Sequence, residues 1–176
     1  QLYDILQARL LGLDPEVRAL VERAAVTGEE FTADEFAAVG GVDEAAAFNA
    51  LDRALAAGFI VERGGGYRFA HTLLREALAY ALPAHRRAQV HRIVAGALSA
   101  SGAPAGRVAH HLLEGGRAVE AVPWLERAAR SAAAVAAYAD SLVLTERALE
   151  YAGPRERGRL LRLRADLLFA VGDPSA

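Results

Sequence analysis

The sequence predicts a mainly α-helical chain in two parts, with a single β-hairpin near the end of the first part and helical hairpins making up the second. Three observations carry this expectation. Apolar residues recur at helical spacing along most of the chain; the period shortens to two only around Gly64-Gly65-Gly66; and one run of small residues, Ser99 to Gly106, carries little to bury and marks a boundary. The expected organisation is a first module over 1–98, a linker over 99–106, and helical hairpins over 107–176.

Leu2 to Leu11 is apolar-rich and expected to be helical, ending at Gly12. Asp14-Pro15-Glu16 then supplies an N-cap, a first-turn proline and a first-turn acid. Val17, Leu20, Val21 and Ala24 commit one face of the following helix to a core. Thr32 with Glu35 makes a capping-box pattern for a short helix that Gly40-Gly41 ends. Asp43 caps a longer one, with Ala47, Phe48, Leu51, Ala54 and Leu55 as its expected buried stripe and Gly58 as its stop. Phe59 to Arg63 and Tyr67 to His71 alternate as strands about the glycine turn. Three helices followed by a β-hairpin is the order of a winged helix, in which the hairpin is the wing.

Beyond the hairpin, helices are expected from Thr72 to Leu82, then after Pro83 through Val90, Ile93, Val94, Ala97 and Leu98. After the linker they run over Val108–Glu114, Ala118–Val135, Tyr138–Tyr151 and Arg155–Val171. Gly115-Gly116-Arg117-Ala118, then Ala136-Ala137-Tyr138-Ala139-Asp140, then Gly172-Asp173-Pro174 each read as a turn between paired helices. Ala121 and Ala128 are seven apart, as are Ser141 and Ala148, which places small residues where neighbouring helices approach closely. Tyr138, Asp140, Ala148 and Leu149, with Pro154 after them, resemble the second helix of a tetratricopeptide repeat. The expected second part is therefore a tetratricopeptide-like, right-handed array of helical hairpins.

Composition excludes several classes. The 176-residue chain is 53% hydrophobic, enough for a core without staples, and has no cysteine, which removes disulfides, thiolate metal sites and cysteine nucleophiles. A reducing, cytoplasmic setting is expected. Lys+Arg of 20, all of them arginine, against Asp+Glu of 22 is not the footprint of a chain held to nucleic acid by counterion release. The longest apolar run, Ala132 to Ala139, is too short to span a bilayer, and no leader pattern opens the chain. A start at Gln1 and the absence of methionine suggest a piece of a longer polypeptide.

Tyr67-Arg68-Phe69-Ala70-His71-Thr72-Leu73-Leu74-Arg75-Glu76-Ala77, followed by Arg86-Arg87 and Val90-His91-Arg92, resembles signal-transduction ATPases with numerous domains. In particular it resembles the large bacterial transcription regulators of the MalT and LuxR type, and the likeness extends over nearly the whole chain. The resemblance implies a P-loop ATPase before this segment, a winged helix and tetratricopeptide-like sensor within it, and a DNA-binding output domain after it. ATP or ADP would be the cofactor of the full-length protein, with none held by this segment alone. The implied partners are its own upstream ATPase and downstream output domains and a protein or small-molecule effector, with no nucleic acid or membrane bound by this segment. Self-association through exposed apolar edges is also expected.

The resemblance carries over to His71, which matches the histidine that ends the wing and touches the β-phosphate of ADP; Ala70 and Thr72 replace the family's usual neighbours there. A strand exit opening a helix suits an anion, because backbone N–H groups are unpaired there. The alternative is that His71 caps the helix. Arg75, four residues on, is a second phosphate candidate or else pairs with Glu76. No enzymatic chemistry is expected: without lysine there is no Walker A loop, and no HExxH or GxSxG occurs. His110, His111 and Glu114 lie within one helical turn but offer too few ligands for a metal. Arg86, Arg87, His91 and Arg92 form the most basic cluster, expected as a solvated helix face. The third helix sets Arg53 against Asp43, Glu44 and Asp52, so a DNA-reading role is disfavoured. In a second reading, a plain tetratricopeptide scaffold for protein partners, Trp124 and Tyr138 are the candidate contacts.

Overall fold

A computed structural model describes residues 12–172; the helix expected over Leu2 to Leu11 and the turn residues Asp173 and Pro174 lie outside them. The described chain is mainly helical, with one small three-stranded antiparallel sheet. It divides into two compact units between Ala97 and Leu98.

The first unit opens with α1 (Pro15–Ala24), whose N-cap Asp14 accepts the Glu16 N–H at 2.9 Å and whose first residue is proline. Strand β1 (Glu30–Phe31) leads into α2 (Ala33–Gly40). There the capping box forms in both directions: Thr32 Oγ1 accepts the Glu35 N–H at 3.1 Å, and Glu35 accepts the Thr32 N–H at 3.4 Å. Helix α3 (Glu44–Ala56) starts on Asp43, which accepts the Ala46 N–H at 2.8 Å. The hairpin of β2 (Ile60–Arg63) and β3 (Gly66–Phe69) turns through Gly64 and Gly65 at φ of 59° and 81°, the left-handed pair that a two-residue turn requires. Sheet order is β1-β3-β2, with Phe31 opposite Tyr67 and Ile60 opposite Phe69. A two-residue strand is too short to register as periodicity, so β1 was not expected from the sequence.

One stripe of α1 (Val17, Leu20, Val21, Ala24) is buried, and the helix packs against α2, α3 and α4 (Thr72–Ala81). Phe31 anchors an aromatic cluster, with Phe36, Tyr67 and Phe69 rings at 5.8, 6.1 and 5.7 Å. On α3 the buried stripe is Ala47, Ala50, Leu51 and Ala54. Phe48 is 40% exposed and Leu55 half-buried, a departure from the expected stripe. The reason is rotational: Phe48 stands about 100° round the helix from Ala47. Gly40 is needed for contact, since a Cβ there would come within 2.5 Å of Leu20 Cδ2.

Helix α5 (Ala84–Ala100) follows the break at Pro83 and crosses the division between units. Its buried residues are Val90, His91, Val94, Ala95 and Leu98, with Ile93 39% exposed. This overturns two expectations: the apolar stripe includes His91 in place of Ile93, and His91 does not belong to a solvated basic face. The helix extends to Ala100 and the next begins at Ala105, so the connection is shorter than the expected linker over 99–106.

The second unit contains α6 (Ala105–Glu114), α7 (Ala118–Ala134), α8 (Tyr138–Tyr151) and α9 (Pro154–Val171). Each packs against the one before it, and α9 also reaches α7. One core cluster joins Ala109, Ala121, Val122, Leu125, Ala148, Leu149 and Leu160; a second joins Ala129, Leu163 and Leu167. Ala121, Ser141 and Ala148 are fully buried, at the small-residue spacing read from the sequence. Ser141 Oγ donates to the Ala129 carbonyl across α7 and α8 at 2.8 Å, and Thr145 Oγ1 donates to the Ser141 carbonyl at 2.8 Å, so neither buried hydroxyl is orphaned.

Two loops of this unit share one conformation twenty residues apart. After α6, Gly116 (φ 73°) donates its N–H to Leu113, and Arg117 donates to Leu112. After α7, Ala136 (φ 59°) donates to Ala133, and Ala137 donates to Ala132. Both are Schellman closures, the position that favours glycine. Alanine there is strained by roughly 1 kcal/mol, because its Cβ crowds the neighbouring carbonyl. We expect Ala136→Gly to stabilise the unit by about 1 kcal/mol, raising its thermal midpoint by roughly 4–8 °C, and Gly116→Ala to lower it by a similar amount. Circular dichroism melts of both variants check the pair.

Candidate functional site

His71 is the N-cap of α4, immediately after β3, in an extended conformation at φ −138° and ψ 119°. Its side chain makes no capping hydrogen bond and is exposed, so it does not cap the helix. The first intrahelical bond of α4 is from Arg75 N–H to the His71 carbonyl at 3.1 Å, leaving the N–H groups of Thr72, Leu73 and Leu74 without intrahelical acceptors. That end of the helix carries the positive pole of the dipole.

Arg75 is directed inward. One guanidinium nitrogen donates to the Ala25 carbonyl just past α1 at 3.3 Å, and the other pairs with Glu76 at 3.4 Å. Its Nε is buried with no partner among the described residues. The geometry therefore ties Arg75 to the end of α1. The group that stands beside His71 is one that sequence reasoning missed: Thr72 Oγ1 donates to Glu29 Oε1 at 3.2 Å, which sets a carboxylate at the N-terminus of α4. Glu29 lies 43 residues from Thr72, and no local pattern announces the contact.

The other candidates separate. Trp124 is half-buried against the larger core cluster of the second unit, with the Arg127 guanidinium 5.7 Å from its ring. Tyr138 packs against the Ala129–Leu163–Leu167 cluster. Both side chains are thus engaged in packing between helices. On α6, His111 is 2% exposed while His110 and Glu114 face solvent, with the two imidazoles edge to face at 5.1 Å. Among the described residues, no group of three His, Asp or Glu side chains could hold a metal ion. No described helix is long and apolar enough to cross a membrane.

The outward face of α3 presents Glu44, Ala45, Phe48, Asn49, Asp52 and Arg53. Two acids beside an exposed phenyl ring repel phosphate and favour protein. A groove of about 490 Å³ between α1 and α3 has an apolar floor of Val17, Leu20, Ala46 and Ala50. Its walls carry both signs of charge, from Asp14, Glu16, Arg23 and Arg53, and Arg23 is already bonded to the Gly40 carbonyl at 2.7 Å.

These contacts make the two candidates of α4 experimentally distinct. Arg75→Ala is expected to lower stability by about 1 kcal/mol through loss of the bond to Ala25, whereas His71→Ala leaves the thermal midpoint in place. Equal shifts in a thermal melt would contradict this assignment. Compared with protein-family models, curated proteins and solved structures, the chain matches none.

Proposed function

We propose that this chain is a regulatory segment of a larger nucleotide-responsive transcription regulator, in which the first unit relays nucleotide state and the second binds an effector or partner. The first unit is read as a winged helix, in the order α1, β1, α2, α3, β2, β3. The placement of His71 carries the proposal: an exposed imidazole at the exit of the wing strand, beside unpaired N–H groups at the start of α4. Protonated imidazole and helix dipole both favour an anion there. Arg75 is left with a positioning role, since it fastens the first turns of α4 to the end of α1.

The acidic, partly apolar exposed face of α3 supports use of the winged helix for packing against protein, not for reading DNA. Glu29 refines the mechanism. A carboxylate at the start of α4 opposes a phosphate arriving at the same helix end, so nucleotide contact and the Thr72–Glu29 hydrogen bond compete, which gives the segment two local states to exchange between.

In the full-length protein, calorimetry with ADP and with ATP tests the reading through His71→Ala. The expected result is at least a tenfold loss of ADP affinity with ATP affinity retained, a difference of about 1.4 kcal/mol or more. Unchanged ADP affinity, or no nucleotide binding by either protein, removes the proposal. The second reading then stands: a tetratricopeptide-type scaffold, favoured by the sequential packing of α6 to α9 and by the repeated loop at Gly116 and Ala136.

A further inference from the structure

The corner between α4 and α5 combines features that helix stability alone does not explain. Arg86 and Arg87 occupy the first turn of α5, whose first intrahelical bond runs from Arg87 N–H to the Pro83 carbonyl at 2.9 Å. Cations there oppose the helix dipole, and no acid lies in that turn to offset them. Arg86 is exposed and makes no ion pair among the described residues. From 77 to 97 the sequence holds no Asp or Glu at all, although the chain as a whole carries more acids than bases.

Beside these arginines stands an apolar stripe. Leu73 and Tyr80, seven residues apart on one face of α4, are 77% and 74% exposed. Arg87 links the two features, its guanidinium 5.3 Å from the Tyr80 ring while it donates to the Leu82 carbonyl at 3.4 Å. Tyrosine and arginine are the residue types that anchor protein interfaces. Leucine at 77% exposure gains little from a phosphate backbone and much from an apolar partner.

We propose that the α4–α5 corner is a docking surface for an acidic amphipathic helix of a protein partner. Apolar residues of that helix, at i, i+3 or i+4 and i+7, cover Leu73 and Tyr80, and its carboxylates meet Arg86 and Arg87. Charge complementarity selects the partner: this corner has no carboxylate of its own past Glu76, so an acidic helix meets no like charge. The surface is distinct from His71 and does not depend on the nucleotide reading, because no residue of the stripe or the arginine pair belongs to that site.

Fluorescence anisotropy tests it with a labelled synthetic helix of about 20 residues, leucine at the a and d positions and glutamate at most others, titrated with the intact protein. The expected result is saturable binding that weakens about tenfold in Arg86→Ser/Arg87→Ser, about tenfold in Leu73→Ser/Tyr80→Ser, and about tenfold for a scrambled peptide of the same composition lacking an apolar face. All exchanged residues lie on the surface, and circular dichroism confirms that both double variants fold. Absence of binding, or equal affinity for the scrambled peptide, overturns the proposal. Tighter binding of a duplex DNA, lost in the arginine variant, would assign the corner to nucleic acid. Concentration-dependent self-association lost in the same variants would assign it to a second copy of the chain.

Discussion

Burial of one stripe of α1 governs the first unit. Val17, Leu20, Val21 and Ala24 face inward together, and three other helices pack on α1. Two polar contacts then fix what stands at its C-terminal end: Arg23 holds the last carbonyl of α2, and the Ala25 carbonyl receives Arg75 from α4. Because each guanidinium is tied to a backbone oxygen, the end of α1 acts as a common anchor for two elements far apart in sequence. The orientation of α4, and with it the position of His71, follows from that anchor and not from the residues around His71.

This explains why some features were legible in the sequence and others were not. Caps are local chemistry: Asp14, the Thr32–Glu35 box and Asp43 all act within three residues, and each forms as read. The glycine turn of the hairpin is likewise set by its own φ requirement. Helix faces were less secure where apolar residues ran in adjacent pairs. At Ala47-Phe48 and at Ile93-Val94 periodicity admits either neighbour, and the packing partner decides; Phe48 and Ile93 turned outward while His91 turned in. Buried histidine carries no sequence signature that separates it from a solvated one.

Long-range polar contacts lie beyond any local pattern. The Thr72–Glu29 bond and the Arg75–Ala25 bond join residues 43 and 50 positions apart, and these two contacts define the electrostatics around the candidate site. What residue types alone supplied was the candidate pair His71 and Arg75; the division of labour between them, one exposed and one fastened inward, emerges only in three dimensions. For Trp124 and Tyr138 the same step moved two large aromatics from possible partner contacts to wedges between helices.

The loop at Ala136 bears on how such arrays diverge. Its backbone matches that of the Gly116 loop although the residue that makes the conformation comfortable is absent. The flanking helices must then impose the loop, through contacts such as Ser141 with Ala129, and not the reverse. A loop held from outside is free to lose its signature residue without losing its shape. Repetition in this family of geometries can therefore outlast repetition in letters, and a helical array can remain regular after its sequence has ceased to look like one.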